Sequence, residues 1–250
     1  LTTPLDAPLL AYETSGRAFS GALWGPRGLL IEKRVLDGAR HGVALAPVTQ
    51  ELLGFAQLGV KDLSAIAVSL GPGSWTGLRI GLAAAKAMAW GRGLVLVGVP
   101  SLEALALTVI RAHPTPTKSL TLTVRHAHAE GLYAALWCET AGLPERLMPE
   151  CVLQPEALPE SVRQIGGGAP VRLCGDGHCL ETLAVMAEKE GWVLLTDADE
   201  IAAGALAELA WLQLKAGKGW RSAAEIHAAA PLYLRASDPE LKLKRRTAGA

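Results

Sequence analysis

The spacing of apolar positions changes along this chain, and each change marks an element. Leu9 to Thr14 is a short apolar run that meets a turn at Glu13-Thr14-Ser15-Gly16. Ala18 to Trp24 and Leu29 to Val35 follow, separated by Gly25-Pro26-Arg27-Gly28, so three consecutive strands are predicted. The period then lengthens: Leu45, Val48, Leu52 and Phe55 recur every three or four residues, the mark of an amphipathic helix over 42–57 that Pro47 bends or delays. Ala65 to Leu70 is a buried strand, Ser74 caps a helix running to about Trp90, and Gly91 and Gly93 end it. Leu94 to Val99 is another buried strand, and Ser101 is the expected cap of the next helix.

A Pro/Thr-rich break at 113–118 follows this β-β-β-α-β-α-β-α series. Beyond it, strands are predicted at 120–125, 131–137, 171–174 and 192–195, helices at 178–189 and 199–215, and Pro-rich strand fragments over 143–160. Three antiparallel strands followed by α-β-α units, occurring twice, is the layout of the actin–hexokinase–Hsp70 superfamily. The expected division is a first lobe over 1–110, a second over 111–235 and a polar, disordered tail over 236–250. Lys242, Lys244, Arg245 and Arg246 cluster in that tail, which reads as a solvated end in preference to an RNA contact.

Composition narrows the function. The 24 Lys and Arg balance 24 Asp and Glu, which argues against a dedicated nucleic-acid binder but leaves room for a role beside RNA. Cys138, Cys151, Cys174 and Cys179 are too sparse for a disulfide framework and read as reduced thiols. The N-terminal segment lacks the basic and long apolar regions of a signal peptide, and the most apolar helix contains Arg79 and Lys86, so no membrane contact and a cytoplasmic location are expected.

Gly71-Pro-Gly-Ser-Trp-Thr-Gly77-Leu-Arg-Ile-Gly81 is the most distinctive segment. A helix start of this kind can hold a phosphate, but no Lys-Ser/Thr follows Gly77 as in a P-loop. Ser69 lacks the glycine spacing of a nucleophile elbow. Gly73, Gly77, Gly81 and Ala85 recur every four residues, and such a small-residue face serves either core packing or close approach of a partner helix. We read it as a partner interface, together with Leu45 and Leu52 on the preceding helix. His126 and His128 share a strand face, but two ligands are not a site and Glu130 joins them only if the strand stays regular; His178 with Cys174 and Cys179 has no ligand spacing, so no metal site is expected. In the superfamily layout the turn at Glu13 and Thr14 and the turn Gly175-Asp176-Gly177 lie near nucleotide phosphates. The second of these is equally a plain strand-to-helix turn.

The signature resembles the GPGSFTGLRIG segment of the TsaB (YeaZ) family, which serves threonylcarbamoyladenosine formation in tRNA. Leu10-Ala-Tyr-Glu-Thr-Ser15, Asp62-Leu-Ser-Ala-Ile-Ala-Val68, Val97-Gly-Val-Pro-Ser-Leu-Glu-Ala-Leu105 and Pro231-Leu-Tyr-Leu-Arg235 resemble further family segments. The likeness is strong over 9–110 and weaker over 120–235. Glu13 stands for the family's Asp, Trp75 for its Phe, and His41-Gly-Val-Ala-Leu-Ala-Pro47 for H-S-x-x-L-L-P. His126-Ala127-His128 stands for D-A-R, losing both charges.

The resemblance implies a non-catalytic, scaffolding paralogue of TsaD, the threonylcarbamoyl transferase. TsaD carries its metal on an H-x-x-x-H helix, whereas here His41 is followed at the fourth position by Leu45. Expected partners are TsaD and TsaE, or a second copy in a homodimer, with tRNA contacted only indirectly. No cofactor of its own is expected, although ATP or ADP can sit at the subunit contact. The competing readings are a nucleotide-binding ATPase or kinase-like enzyme using Glu13, and a peptidase, for which no nucleophile–His–acid set is visible.

Overall fold

The computed structural model describes residues 6–36, 41–115, 119–127 and 131–234. In order the elements are β1 (Leu9–Glu13), β2 (Phe19–Gly25), β3 (Gly28–Val35), α1 (His41–Phe55), β4 (Ala65–Gly71), α2 (Trp75–Arg92), β5 (Val95–Pro100) and α3 (Ser101–Ala112). They continue with β6 (Leu120–His126), β7 (Leu132–Thr140), β8 (Leu143–Leu153), α4 (Leu158–Gly166), β9 (Val171–Gly175), α5 (Gly177–Glu190), β10 (Val193–Leu194), α6 (Ala203–Lys215) and α7 (Ala223–Ala228). Pro47 lies inside α1 rather than delaying it.

Two five-stranded mixed sheets result, in the orders β3-β2-β1-β4-β5 and β8-β7-β6-β9-β10. In each, three consecutive strands run antiparallel and two later strands add in parallel beside the first. This repeated topology is the actin–hexokinase–Hsp70 layout, two α/β lobes with helices on their sheets.

Both faces of the first sheet are covered, so its central strands are apolar without alternation. Leu10, Tyr12, Ile66 and Val68 pack with Val48, Leu52, Leu82 and Ala85 of α1 and α2. The alternate residues Leu9, Ala11, Ala65 and Ala67 face Leu105 of α3 and Leu206, Ala210 and Trp211 of α6. In the second lobe Leu122, Val124 and Leu136 pack on α4 and α5 through Val162, Leu180 and Leu183. Its other face, with Tyr133 and Trp137, meets Leu102 and Ala106 of α3. Helix α3 is thus wedged between the sheets.

The lobe boundary differs from the expected division at 111–235. Helix α6 covers the first sheet, α7 packs on α2, and the Leu232 amide donates to the Leu70 carbonyl at 2.7 Å. The chain therefore returns to the first lobe from residue 203 onward, because the α3/α6 face of that sheet needs covering. The expected tail at 236–250 lies outside the described residues.

Three local expectations are corrected. Ser101 does not cap α3; its hydroxyl accepts instead from the Gly71 amide at 3.1 Å. The Pro-rich stretch forms one long edge strand, β8, whose outer side tolerates Pro144 and Pro149. It is followed by the unforeseen helix α4, and α7 was likewise not foreseen. Among the described residues no helix is long and apolar enough to cross a membrane, and the four cysteines are free.

Candidate functional site

Helix α2 begins where β4 ends. Gly71 adopts φ +102°, a conformation open to glycine, and Ser74 caps the helix by accepting from the Gly77 amide at 3.2 Å. The Ser74 amide in turn donates to the Ser15 carbonyl at 2.8 Å, tying the signature to the turn after β1. A methyl group on Gly77 or Gly81 would lie well under 3.0 Å from the Thr14 carbonyl oxygen or the Thr14 hydroxyl. The two glycines therefore let α2 lie against the chain's own β1 end.

This corrects the expected partner interface. Gly77, Gly81, Ala85 and Leu52 are buried within the chain, and Leu45 packs against the same first-lobe core. Gly73 faces Ser15 at a similarly close approach and lines the cleft between the lobes. The four-residue spacing is real, but its partner is intramolecular.

The interlobe cleft has a volume of about 920 Å³. Ser15, Gly16 and the start of α2 from Gly73 to Gly77 form its first-lobe wall. Arg125, His126, Asp176, Gly177, His178, Asp199 and Glu200 form the other. Of the residues expected near a nucleotide, Asp176 and Gly177 line this cleft. Glu13, Thr14 and Gly175 do not; they are buried beneath it. Glu13 Oε1 accepts from both the amide and the hydroxyl of Ser15, and Oε2 has no hydrogen-bond partner. Burial raises the Glu13 carboxyl above its usual range, against the pull of Arg125 and the Ser15 hydrogen bonds.

Asp176 is a helix cap. Its carboxylate accepts from the amides of Cys179, at 3.0 Å, and of His126, at 2.9 Å. Burial opposes its ionisation, but those hydrogen bonds and Arg125 outweigh it and hold the pKa below the usual range. The rings of His126 and His178 meet edge to face at 5.2 Å. His128 and Glu130 lie outside the described residues. No cluster of three potential metal ligands occurs among the described residues.

Sequence reasoning missed Arg125. It is only 5% exposed, and its Nη1 crosses the cleft to donate to the Ser15 carbonyl at 2.9 Å. The loss of charge inferred at 126–128 is therefore incomplete, since this cation stands one residue earlier. A lone arginine ending the apolar strand Leu-Thr-Leu-Thr-Val was the available signal. At the Gly16 turn the Glu200 carboxylate and the Arg125 guanidinium both occupy the space a side chain on Gly16 would need.

Tyr233, from the closing Pro-Leu-Tyr-Leu segment, stacks on Trp75 of the signature with ring centroids 4.3 Å apart. Arg79 lies 4.1 Å from the Trp75 centroid, and its Nε donates to the Tyr233 hydroxyl at 3.1 Å. Two segments 154 residues apart in sequence thus form one cluster, with Trp75 lining the cleft.

Known proteins resemble this chain in sequence and fold. Residues 37–157 match the family model described as TsaD, tRNA N6-adenosine threonylcarbamoyltransferase. The chain is 30% identical over 159 residues to the tRNA threonylcarbamoyladenosine biosynthesis protein TsaB of Escherichia coli, covering 64% of this chain and 68% of that one. It is 32% identical over 142 residues to TsaB of Bacillus subtilis, covering 57% of this chain and 60% of that one. A crystal structure described as an uncharacterized protein with similarity to peptidase YEAZ, from Pseudomonas aeruginosa, superposes with a TM-score of 0.79 at 26% identity. That superposition covers 92% of this chain and all of the other. With its signature, topology and sequence likeness agreeing, the chain belongs to the TsaB (YeaZ) family.

Proposed function

We propose that this chain is a non-catalytic scaffold and activator subunit for threonylcarbamoyladenosine formation in tRNA, binding TsaD and, with it, TsaE. The observation that carries this reading is the outer surface of the α1–α2 pair. Ala46, Pro47 and Gln50 of α1 and Ala83, Ala87 and Gly91 of α2 are all exposed and uncharged. Val43, at the cleft end of α1, is 67% exposed. Small residues on two adjacent helices permit close approach of another helix pair. The close-approach argument made for Gly77 and Gly81 therefore applies to the opposite side of α2.

The condition of Glu13 supports a non-catalytic role. A carboxylate that is 1% exposed and bonded to its own turn is poorly placed to orient a metal-bound water in the cleft. ATP or ADP then belongs to the contact between subunits.

The test is reconstituted tRNA modification with purified TsaD, TsaE, ATP, threonylcarbamoyl-adenylate and unmodified tRNA. Product is expected only when this chain and TsaD are both present. Ala87→Arg should abolish co-elution with TsaD while leaving the circular dichroism spectrum unchanged. Equal product without this chain refutes the scaffold role, and product without TsaD refutes the non-catalytic assignment.

A further inference from the structure

Resting on that reading, we propose that the other half of the exposed face of α2 is an RNA contact, with cations holding phosphates and an indole stacking on an unpaired base. At 100° per residue Trp75, Arg79, Lys86 and Trp90 fall within an arc of about 60°, in a stripe about 22 Å long. The order along it is aromatic, cation, cation, aromatic. Trp90 is 75% exposed, Trp75 is 38% exposed, and Arg79 is exposed as well.

The stripe differs chemically from the uncharged half beside α1. Helix α2 carries Arg79, Lys86 and Arg92 and no acid, although the chain as a whole is neutral. The acid on the neighbouring α7, Glu225, is engaged with the amides of Arg221 and Ser222 and the Ser222 hydroxyl. Lys86 Nζ donates to the His227 carbonyl at 2.7 Å, which fixes the ammonium beside the stripe. Tyr233, 41% exposed, extends the aromatic surface at the Trp75 end. The sequence that follows it is basic, with Arg235, Lys242, Lys244, Arg245 and Arg246 against Asp238 and Glu240. Interleaved cations and exposed aromatic faces suit a single-stranded or looped RNA segment. Phosphates supply affinity without sequence preference, and base stacking adds to it. A purely protein partner would leave these cations needing acids of its own.

The test is fluorescence anisotropy with an unmodified tRNA transcript, on the 250-residue chain alone and mixed with TsaD, over a salt series. Arg79→Glu/Lys86→Glu should weaken binding about tenfold or more and reduce the salt slope by about 1.4, at about 0.7 per phosphate contact. Trp90→Ala should weaken it about fivefold or more through lost stacking. Arg34→Glu, an exposed cation on β3, should change neither quantity. Near-ultraviolet circular dichroism establishes that each variant is folded. Unchanged tRNA affinity and slope in the folded variants overturns the proposal, and loss of TsaD co-elution alongside would make the stripe a protein contact instead. Absence of tRNA binding by the unaltered chain in both settings also overturns it. Failure of the scaffold reading is distinguishable, because product would then be independent of this chain at saturating tRNA.

Discussion

Helix α2 offers an internal comparison, because two of its glycines should respond to the same substitution with opposite sign. Alanine is about 1 kcal/mol more favourable than glycine inside a helix. At Gly91 an added methyl meets nothing within 4 Å, so Gly91→Ala should stabilise by up to about 1 kcal/mol. At Gly77 the methyl would fall on the Thr14 carbonyl oxygen, well inside 3.0 Å. That oxygen belongs to backbone fixed on either side. The Thr14 amide donates to Ser69 Oγ at 3.2 Å, and the next carbonyl, of Ser15, receives the Ser74 amide and Arg125. Relief requires α2 or β1 to move. Overpacking of this kind costs about 1–3 kcal/mol or more, and rigid backbone puts Gly77 at the upper end. After the propensity gain, Gly77→Ala should destabilise by about 2 kcal/mol, leaving the two variants about 3 kcal/mol apart. Urea unfolding followed by tryptophan fluorescence measures this. With a slope of about 3 kcal/mol per molar urea, the midpoints should separate by about 1 M. Equal midpoints, or a more stable Gly77→Ala, would refute the view that these glycines serve intramolecular contact.

Three further outcomes follow from the same geometry. Glu32 of β3 accepts from the first-turn amides Ala203 (2.9 Å) and Gly204 (3.2 Å), standing in for a cap that Ala202 cannot supply. Glu32→Ala should therefore cost about 1 kcal/mol and speed amide exchange at those positions; unchanged exchange would refute a capping role. Because burial raises the Glu13 carboxyl, the folded state holds that proton to higher pH than the unfolded chain. Its contribution should decline as pH rises past the usual 4.5, so the stability of the unaltered chain relative to Glu13→Gln should fall from pH 4.5 upward in urea titrations. Asp176 has the opposite sign. Its depressed pKa contributes stability above the usual 3.8 that is lost as pH falls through the folded value. Asp176→Ala should flatten that acid limb and loosen the first turn of α5, seen by hydrogen exchange.

Strands β1, β4 and β5 were legible because burial on both faces makes their runs continuously apolar. Helix α2 was legible because Ser74 and Gly93 mark its ends with local hydrogen-bond and backbone requirements. The signature placed the chain in its family. Helix α4 escaped notice because its boundary is set among prolines, and Ser101 was misassigned because its hydroxyl had a better partner in Gly71, thirty residues away.

The sequence alone therefore determined the order of the first-lobe elements, the repeated layout and the presence of a small-residue face, all of which follow from local periodicity. Only the tertiary structure decided what that face touches. It also decided that Arg125 crosses to Ser15, that Glu200 lies beside Gly16, and that the chain returns from residue 203 to cover its first sheet. Periodicity records which side of a helix is small or apolar. The identity of the surface packed against it depends on which distant segment the sheet order brings within reach.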